Sequence, residues 1–219
     1  MQNQPRVISK YLILTAKQNW GFILFVFLMF ASRSSLADWY LVPTGSMQPT
    51  IVEGDRILVN KMAYRIELPF TNISLMETGS PQRGDIVVFN SAVADKRLIK
   101  RLIGLPGDQI SMRDNHLMIN GKALDYAKHD GKITEQIADV AHFVQFIKVA
   151  QATDNFASVR VPENHYLVLG DNRNNSADSR FIGFIPAAEL QGKALKVLLS
   201  LDPENYYLPR TERSLAPLI

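Results

Sequence analysis

The sequence predicts a mainly β, antiparallel domain behind one N-terminal apolar helix. Short β-rich runs, Arg56-Ile57-Leu58-Val59-Asn60, Ile86-Val87-Val88-Phe89 and Tyr166-Leu167-Val168-Leu169, lie beside glycine turns. Four Gly-Asp pairs, at 54–55, 84–85, 107–108 and 170–171, punctuate these runs, with glycine giving backbone freedom and aspartate a local acceptor. A single apolar run exceeds strand length, the twelve uncharged residues WGFILFVFLMFA beginning at Trp20.

Twelve residues fall short of the roughly 20 that span a bilayer, so a buried core helix and a signal-peptide hydrophobic region compete with a membrane anchor. Trp20 and the Trp39-Tyr40 pair at the two ends suit the interfaces, and Arg33 suits a snorkelling position. Ala31-Ser32-Arg33 makes a poor cleavage site. The expected anchor covers residues 20–39, after a cytoplasmic segment over 1–19. Arg6, Lys10 and Lys17 precede it without an acidic residue, which places the N-terminus in the cytoplasm and residues 41–219 outside.

The catalytic domain is expected over 40–108 and 161–219, split by a smaller inserted β subdomain over 109–160. Within that insertion Asn115-His116-Leu117-Met118-Ile119-Asn120-Gly121-Lys122 reads as a hairpin. Residues 186–199 suit a short helix followed by a strand, and 209–219 a loose tail. At 219 residues the chain can bury a substantial core. A net charge of +3 with no basic block argues against a nucleic-acid partner. The absence of cysteine excludes disulfides, thiolate ligands and cysteine catalysis. His129, His142 and His165 lack metal-ligand spacing and read as surface or structural residues.

The chemistry centres on Pro43-Thr44-Gly45-Ser46-Met47-Gln48-Pro49-Thr50, where two prolines and a glycine constrain the backbone around Ser46. A serine hydroxyl needs a base. The chain has no Gly-x-Ser-x-Gly elbow, no Ser-x-x-Lys and no histidine in a convincing catalytic context. A lysine serves once an apolar pocket lowers its pKa. Lys100 follows Leu98-Ile99 and precedes Leu102-Ile103 beyond Arg101, and strand alternation puts Leu98, Lys100 and Leu102 on one face with Arg101 opposite. Alternation alone leaves a snorkelling surface lysine equally open, and the Ser46 loop is either catalytic or an ordinary turn. Thr44 and the Ser46 N–H suit an oxyanion hole. Serine, lysine and apolar segment together suggest a serine/lysine hydrolase held against a membrane.

Five ordered motifs resemble the bacterial type I signal peptidases, membrane-anchored serine/lysine leader peptidases. They are residues 43–50; Gly54-Asp55-Arg56-Ile57-Leu58-Val59-Asn60-Lys61; Arg83-Gly84-Asp85-Ile86-Val87-Val88-Phe89; residues 100–108; and Gly170-Asp171-Asn172-Arg173-Asn174-Asn175-Ser176-Ala177-Asp178-Ser179-Arg180. The resemblance implies two antiparallel β-sheet regions, one large and catalytic, the other smaller and variable. It implies Ser46 as nucleophile, Lys100 as general base, and Thr44 with the Ser46 amide as oxyanion donors. Ser176 would orient the lysine, Asp178 and Arg180 would form a supporting ion pair, and Arg101 would be structural. Tyr40, Val42 and Ile99 would line small pockets favouring alanine-like residues, and Met47 would lie on an apolar edge against the bilayer. The implied activity is removal of signal peptides after Ala-x-Ala-like sites, without metal or organic cofactor. The implied partners are exported preproteins, the lipid bilayer and, transiently, the translocation machinery. The implied location is the bacterial cytoplasmic membrane, with a single span and an extracytoplasmic catalytic domain. Asn174 replaces a common aspartate of the last motif, and the single span with a compact middle region resembles enzymes devoted to particular substrates. A related peptidase dedicated to a narrow substrate set is the nearest alternative, and a catalytically dead membrane module is a more distant one.

Overall fold

The computed structural model describes Thr15 and residues 17–71, 73–146 and 155–218. Arg6 and Lys10, which carry much of the orientation argument, lie outside the described residues, as do 147–154 of the expected subdomain.

In chain order the elements are helix α1 (Trp20–Ser35) and strands β1 (Ala37–Leu41), β2 (Asp55–Asn60), β3 (Arg65–Glu67), β4 (Ser74–Glu77), β5 (Ile86–Ser91) and β6 (Lys96–Gly104). The middle of the chain adds β7 (Gln109–Arg113), β8 (His116–Ile119), β9 (Lys122–Ala123), β10 (Asp125–His129), β11 (Lys132–Ile137), β12 (Val140–Val144) and β13 (Phe156–Arg160). Then come β14 (His165–Leu169), the short helix α2 (Ser179–Ile182), β15 (Ile185–Pro186), β16 (Leu190–Asp202) and β17 (Leu208–Pro209).

Eight strands form the main sheet in the order β1-β2-β16-β5-β6-β14-β15, with β17 on β16. The middle region builds a four-stranded sheet, β13-β7-β8-β9, and a three-stranded one, β10-β11-β12, while β3 and β4 make a separate hairpin. Every pairing between named strands among the described residues is antiparallel. The fold is mainly β with few helices.

Helix α1 is not a core helix. Trp20, Phe22 and Phe25 are exposed, and Ser35 is its one buried residue. Its 16 residues span about 24 Å at 1.5 Å per residue. No helix among the described residues is long and apolar enough to cross a membrane. Residues 37–39, assigned to the anchor from sequence, belong instead to β1, because Ala37 pairs with Asn60 and Trp39 with Leu58. Arg33 does not stand free to snorkel: its Nη2 lies 2.5 Å from Asp38 Oδ1, and its guanidinium sits 4.1 Å above the Trp39 ring.

Three of the Gly-Asp pairs make one kind of turn. Gly54, Gly84 and Gly107 all have positive φ, and the following aspartate accepts the N–H three residues back, at Val52 (2.9 Å), Gln82 (2.9 Å) and Leu105 (2.6 Å). Each carboxylate also meets a cation, Arg213 on Asp55, Lys193 on Asp85 and Arg83 on Asp108. The fourth pair is different, as described below. The C-terminal segment is not a loose tail. Arg213 donates to the buried Asp55 carboxylate at 2.7 Å, Val197 N donates to Ala216 O at 2.9 Å, and Leu218 N donates to Leu195 O at 2.9 Å. A buried carboxylate needs such a partner, which is why the tail folds back.

Two apolar clusters frame the strand carrying Lys100. One joins Val42, Met47, Ile51, Ile57, Ile86 and Val88, with Ile99 packed against it. The other joins Val87, Phe89, Leu102 and Val168, with Leu98 packed against it.

Candidate active site

Ser46 sits in a 3-10 turn over Gly45–Met47, entered and left in extended conformation at Thr44 and Gln48. Gln48 N closes the turn on Gly45 O at 3.1 Å, and Ile51 N reaches Met47 O at 2.9 Å. From the far side Asn172 grips the turn twice, its N–H donating to Ser46 O at 3.2 Å and its Nδ2 to Gly45 O at 3.1 Å. That approach explains the fourth Gly-Asp pair. Gly170 lacks a positive φ; a Cβ there would run into the Ser46 carbonyl oxygen and into Ser176. Glycine is required here for proximity, not for a turn.

Lys100, on β6, is 2% exposed. Its Nζ lies 2.6 Å from Ser46 Oγ and donates to Ile99 O at 3.1 Å. Burial pushes the amine down from 10.5 to about 8; the Lys96 and Arg180 charges act in the same direction, and Asp178 and Asp171 oppose them. Lys100 is therefore a buried amine beside a hydroxyl, not a snorkelling surface lysine. A neutral amine at this distance accepts the Oγ–H proton.

A cleft of about 470 Å³ opens over this pair, and Tyr40, Val42, Thr44, Ser46, Met47, Ile99 and Lys100 are among its lining residues. The Arg97 guanidinium covers the Tyr40 ring at 4.2 Å. Asp178 and Arg180 form an ion pair at 2.7 Å, and Asp178 Oδ2 also accepts the Gly170 N–H at 3.0 Å. Arg101 is buried, as are its strand neighbours Lys100 and Leu102. It clamps Asp171 with Nε at 2.9 Å and Nη2 at 2.8 Å, and Nη1 donates to Gly84 O at 2.9 Å. Burial alone would push the Asp171 carboxyl up, but Arg101, His142 and the Thr50 hydroxyl hold it below its usual value.

The model for the family described as signal peptidase, peptidase S26, matches residues 17–199. The chain belongs to the signal peptidase family. Signal peptidase I of Pseudomonas aeruginosa is 33% identical over 210 residues, covering 86% of this chain and 74% of the relative. Signal peptidase I P of Bacillus subtilis subsp. natto is 34% identical over 182 residues, covering 79% and 83%. A solved signal peptidase I from Enterococcus faecalis is 34% identical, covers 52% of this chain and 96% of that one, and superposes with a TM-score of 0.36. Membership in this peptidase family makes the chain a serine endopeptidase that removes signal peptides from preproteins.

Two expectations need correcting. Met47 is 1% exposed, so it does not face a bilayer; it is the floor of the turn, packed with Val42 and Ile51. Ser176 is buried, but its Oγ has no hydrogen-bond partner among the described residues and makes no bond to Lys100 in this arrangement. Sequence reasoning missed Asn172, Asp171 and Thr50, which hold the Ser46 turn and its surroundings. Thr50 Oγ1 donates to Asp171 Oδ2 at 2.5 Å. It also missed Glu135 and Arg173, whose pairing no local pattern announces, and of the two readings left open for His142, surface or structural, its burial selects the structural one.

Proposed function

We propose that this signal peptidase works through a Ser46–Lys100 dyad, and the short contact from Lys100 Nζ to Ser46 Oγ, 2.6 Å in a buried site, is the observation that carries the reading. Ser46 Oγ attacks the carbonyl carbon of the scissile bond while its proton passes to the neutral Lys100 amine. The Thr44 hydroxyl and the Ser46 N–H hold the resulting oxyanion. Collapse breaks the C–N bond, and the Lys100 ammonium returns the proton to the departing amine of the mature protein. The signal peptide remains as an ester on Ser46. A water then gives a proton to Lys100 and attacks the ester, and Ser46 Oγ leaves with that proton.

Tyr40, Val42 and Ile99 crowd the cleft wall, which supports selection of alanine-like residues at the first and third positions before the cut. Asp178, Arg180 and Arg101 support the site from behind. The exposed aromatic residues of α1 support attachment to the cytoplasmic membrane of a bacterium, with the sheets on its outer side. The test is cleavage of a detergent-solubilised preprotein, read by intact mass, with Ser46→Ala alongside. A cut after an Ala-x-Ala sequence that vanishes in the variant supports the dyad; a cut that survives in Ser46→Ala refutes it.

A further inference from the structure

The main unexplained feature outside the cleft is a buried ionic cluster under the loop of residues 171–173. Tyr126, Glu135 and His142 form one row across the three-stranded sheet, because Tyr126 pairs with Glu135 and Glu135 with His142 in the strand registers. That row points a carboxylate out of the inserted region into the catalytic loop. Glu135 Oε1 lies 2.5 Å from Arg173 Nη2 and 3.3 Å from His142 Nε2, and the Tyr126 hydroxyl donates to Oε2. Glu135 and Arg173 are essentially inaccessible to water. Burial would push the Glu135 carboxyl up, but Arg173 and His142 hold it well below the usual carboxylate range.

Burying two opposite charges costs several kcal/mol per ion, and an apolar plug of equal volume is often as stable. What the ionic pair supplies, and an apolar plug does not, is a fixed direction and distance. The backbone uses that fixity. Gln145 N donates to Asp171 O at 2.8 Å and Arg173 N donates to Gln145 O at 3.0 Å, so the end of the small sheet and the loop are stitched on both sides. Between these two residues stands Asn172, which grips Ser46 O and Gly45 O. Arg173 O in turn accepts from Arg180, the partner of Asp178, whose charge acts on Lys100. One ion pair therefore anchors both branches, one leading to the nucleophile turn and one to the base.

We propose that Glu135 and Arg173 are positioning residues: the inserted sheet uses this buried pair to hold Asn172 and Arg180 so that Ser46 and Lys100 stay in register. This rests on the dyad reading above. Neither residue lines the cleft, so substrate affinity is not what the pair controls.

The experiment compares full-length wild type, Glu135→Gln, the double variant Glu135→Gln/Arg173→Gln, Tyr126→Phe and Ser46→Ala, measuring kcat, KM and melting temperature for each. A misplacement of a fraction of an ångström predicts a fall in kcat of about 10- to 100-fold for Glu135→Gln, with KM within about twofold. The single variant leaves Arg173 buried and unpaired, so it melts lower; the double variant removes that charge and regains melting temperature, yet its kcat stays low. Recovery of kcat together with melting temperature in the double variant would show a purely structural brace and overturn the proposal, as would wild-type kcat in a folded Glu135→Gln. If the charge variants fail to fold, Tyr126→Phe decides: losing the bond to Glu135 and the one from Leu117 N at 3.1 Å lowers the melting temperature modestly and predicts a kcat lower by about two- to fivefold with KM unchanged, and unchanged kcat overturns the proposal. Activity in Ser46→Ala sinks the dyad reading and the proposal with it, whereas an inert Ser46→Ala beside a fully active Glu135→Gln sinks the proposal alone.

Discussion

Lys100→Met should make the protein more stable at neutral pH while abolishing turnover. Unfolded, the Lys100 amine titrates near 10.5; folded, it titrates at about 8. Below pH 8 it is protonated in both states and the full cost of burying its charge is present. Between pH 8 and 10.5 the unfolded chain holds a proton that the folded one has released, so stability rises with pH and the cost is relieved. A shift of about 2.5 units corresponds to about 3 kcal/mol, an upper bound for a buried group. Losing the contact with Ser46 offsets about 1 kcal/mol of the gain. The net of about 2 kcal/mol raises the melting temperature by about 4–8 °C for a chain of this size. Calorimetry of both proteins at pH 7 and pH 10.5 tests it: the variant melts higher at pH 7 and the gap closes at high pH. A variant that melts lower at pH 7, or a gap independent of pH, would refute the desolvation argument. The same shift governs rate. At pH 7 a pKa of about 8 leaves about a tenth of the amine neutral, about 300-fold more than an unperturbed lysine provides. The acid limb of kcat/KM should therefore rise about tenfold per pH unit and level near pH 8.

Four further outcomes follow from the geometry. Lys100→Arg keeps the charge but abolishes cleavage in the preprotein assay, because a guanidinium does not give up its proton at working pH. Gly170→Ala forces a methyl group against the Ser46 carbonyl and Ser176, and lowers stability by about 1–3 kcal/mol in a denaturant titration, with a larger proportional loss of kcat. Arg101→Met strands the buried Asp171 carboxylate and costs about 3–5 kcal/mol, read as a collapse of the melting temperature. Ser176→Ala removes a buried hydroxyl that has no partner among the described residues, so the melting temperature holds or rises in a thermal melt.

What the sequence made legible was local. Gly54, Gly84 and Gly107 announce their turns because positive φ followed by an aspartate acceptor is a short-range device. The alternation around Lys100 foretold that Leu98 and Leu102 would share one apolar cluster and Ile99 join another. Gly170-Asp171 looks identical to the other pairs in sequence, yet its glycine answers to a backbone oxygen more than a hundred residues away. The Glu135–Arg173 pair spans 38 positions, and no periodicity links a carboxylate on an inserted strand to a loop beyond it. The resemblance implies a lipid edge for Met47; its burial follows from the way the 3-10 turn faces inward, which a linear pattern does not encode. The helix ended early because Arg33, Asp38 and the pairing of Ala37 with Asn60 take the chain into the sheet.

The central claim is that Ser46 becomes acylated by the signal peptide with Lys100 as its base. The most direct measurement is an acid-quenched intact-mass spectrum taken during turnover of a preprotein, followed by peptide mapping. The account predicts an adduct of signal-peptide mass on Ser46 in the wild type and none in Ser46→Ala. An adduct on another residue, or continued cleavage by Ser46→Ala, would contradict it.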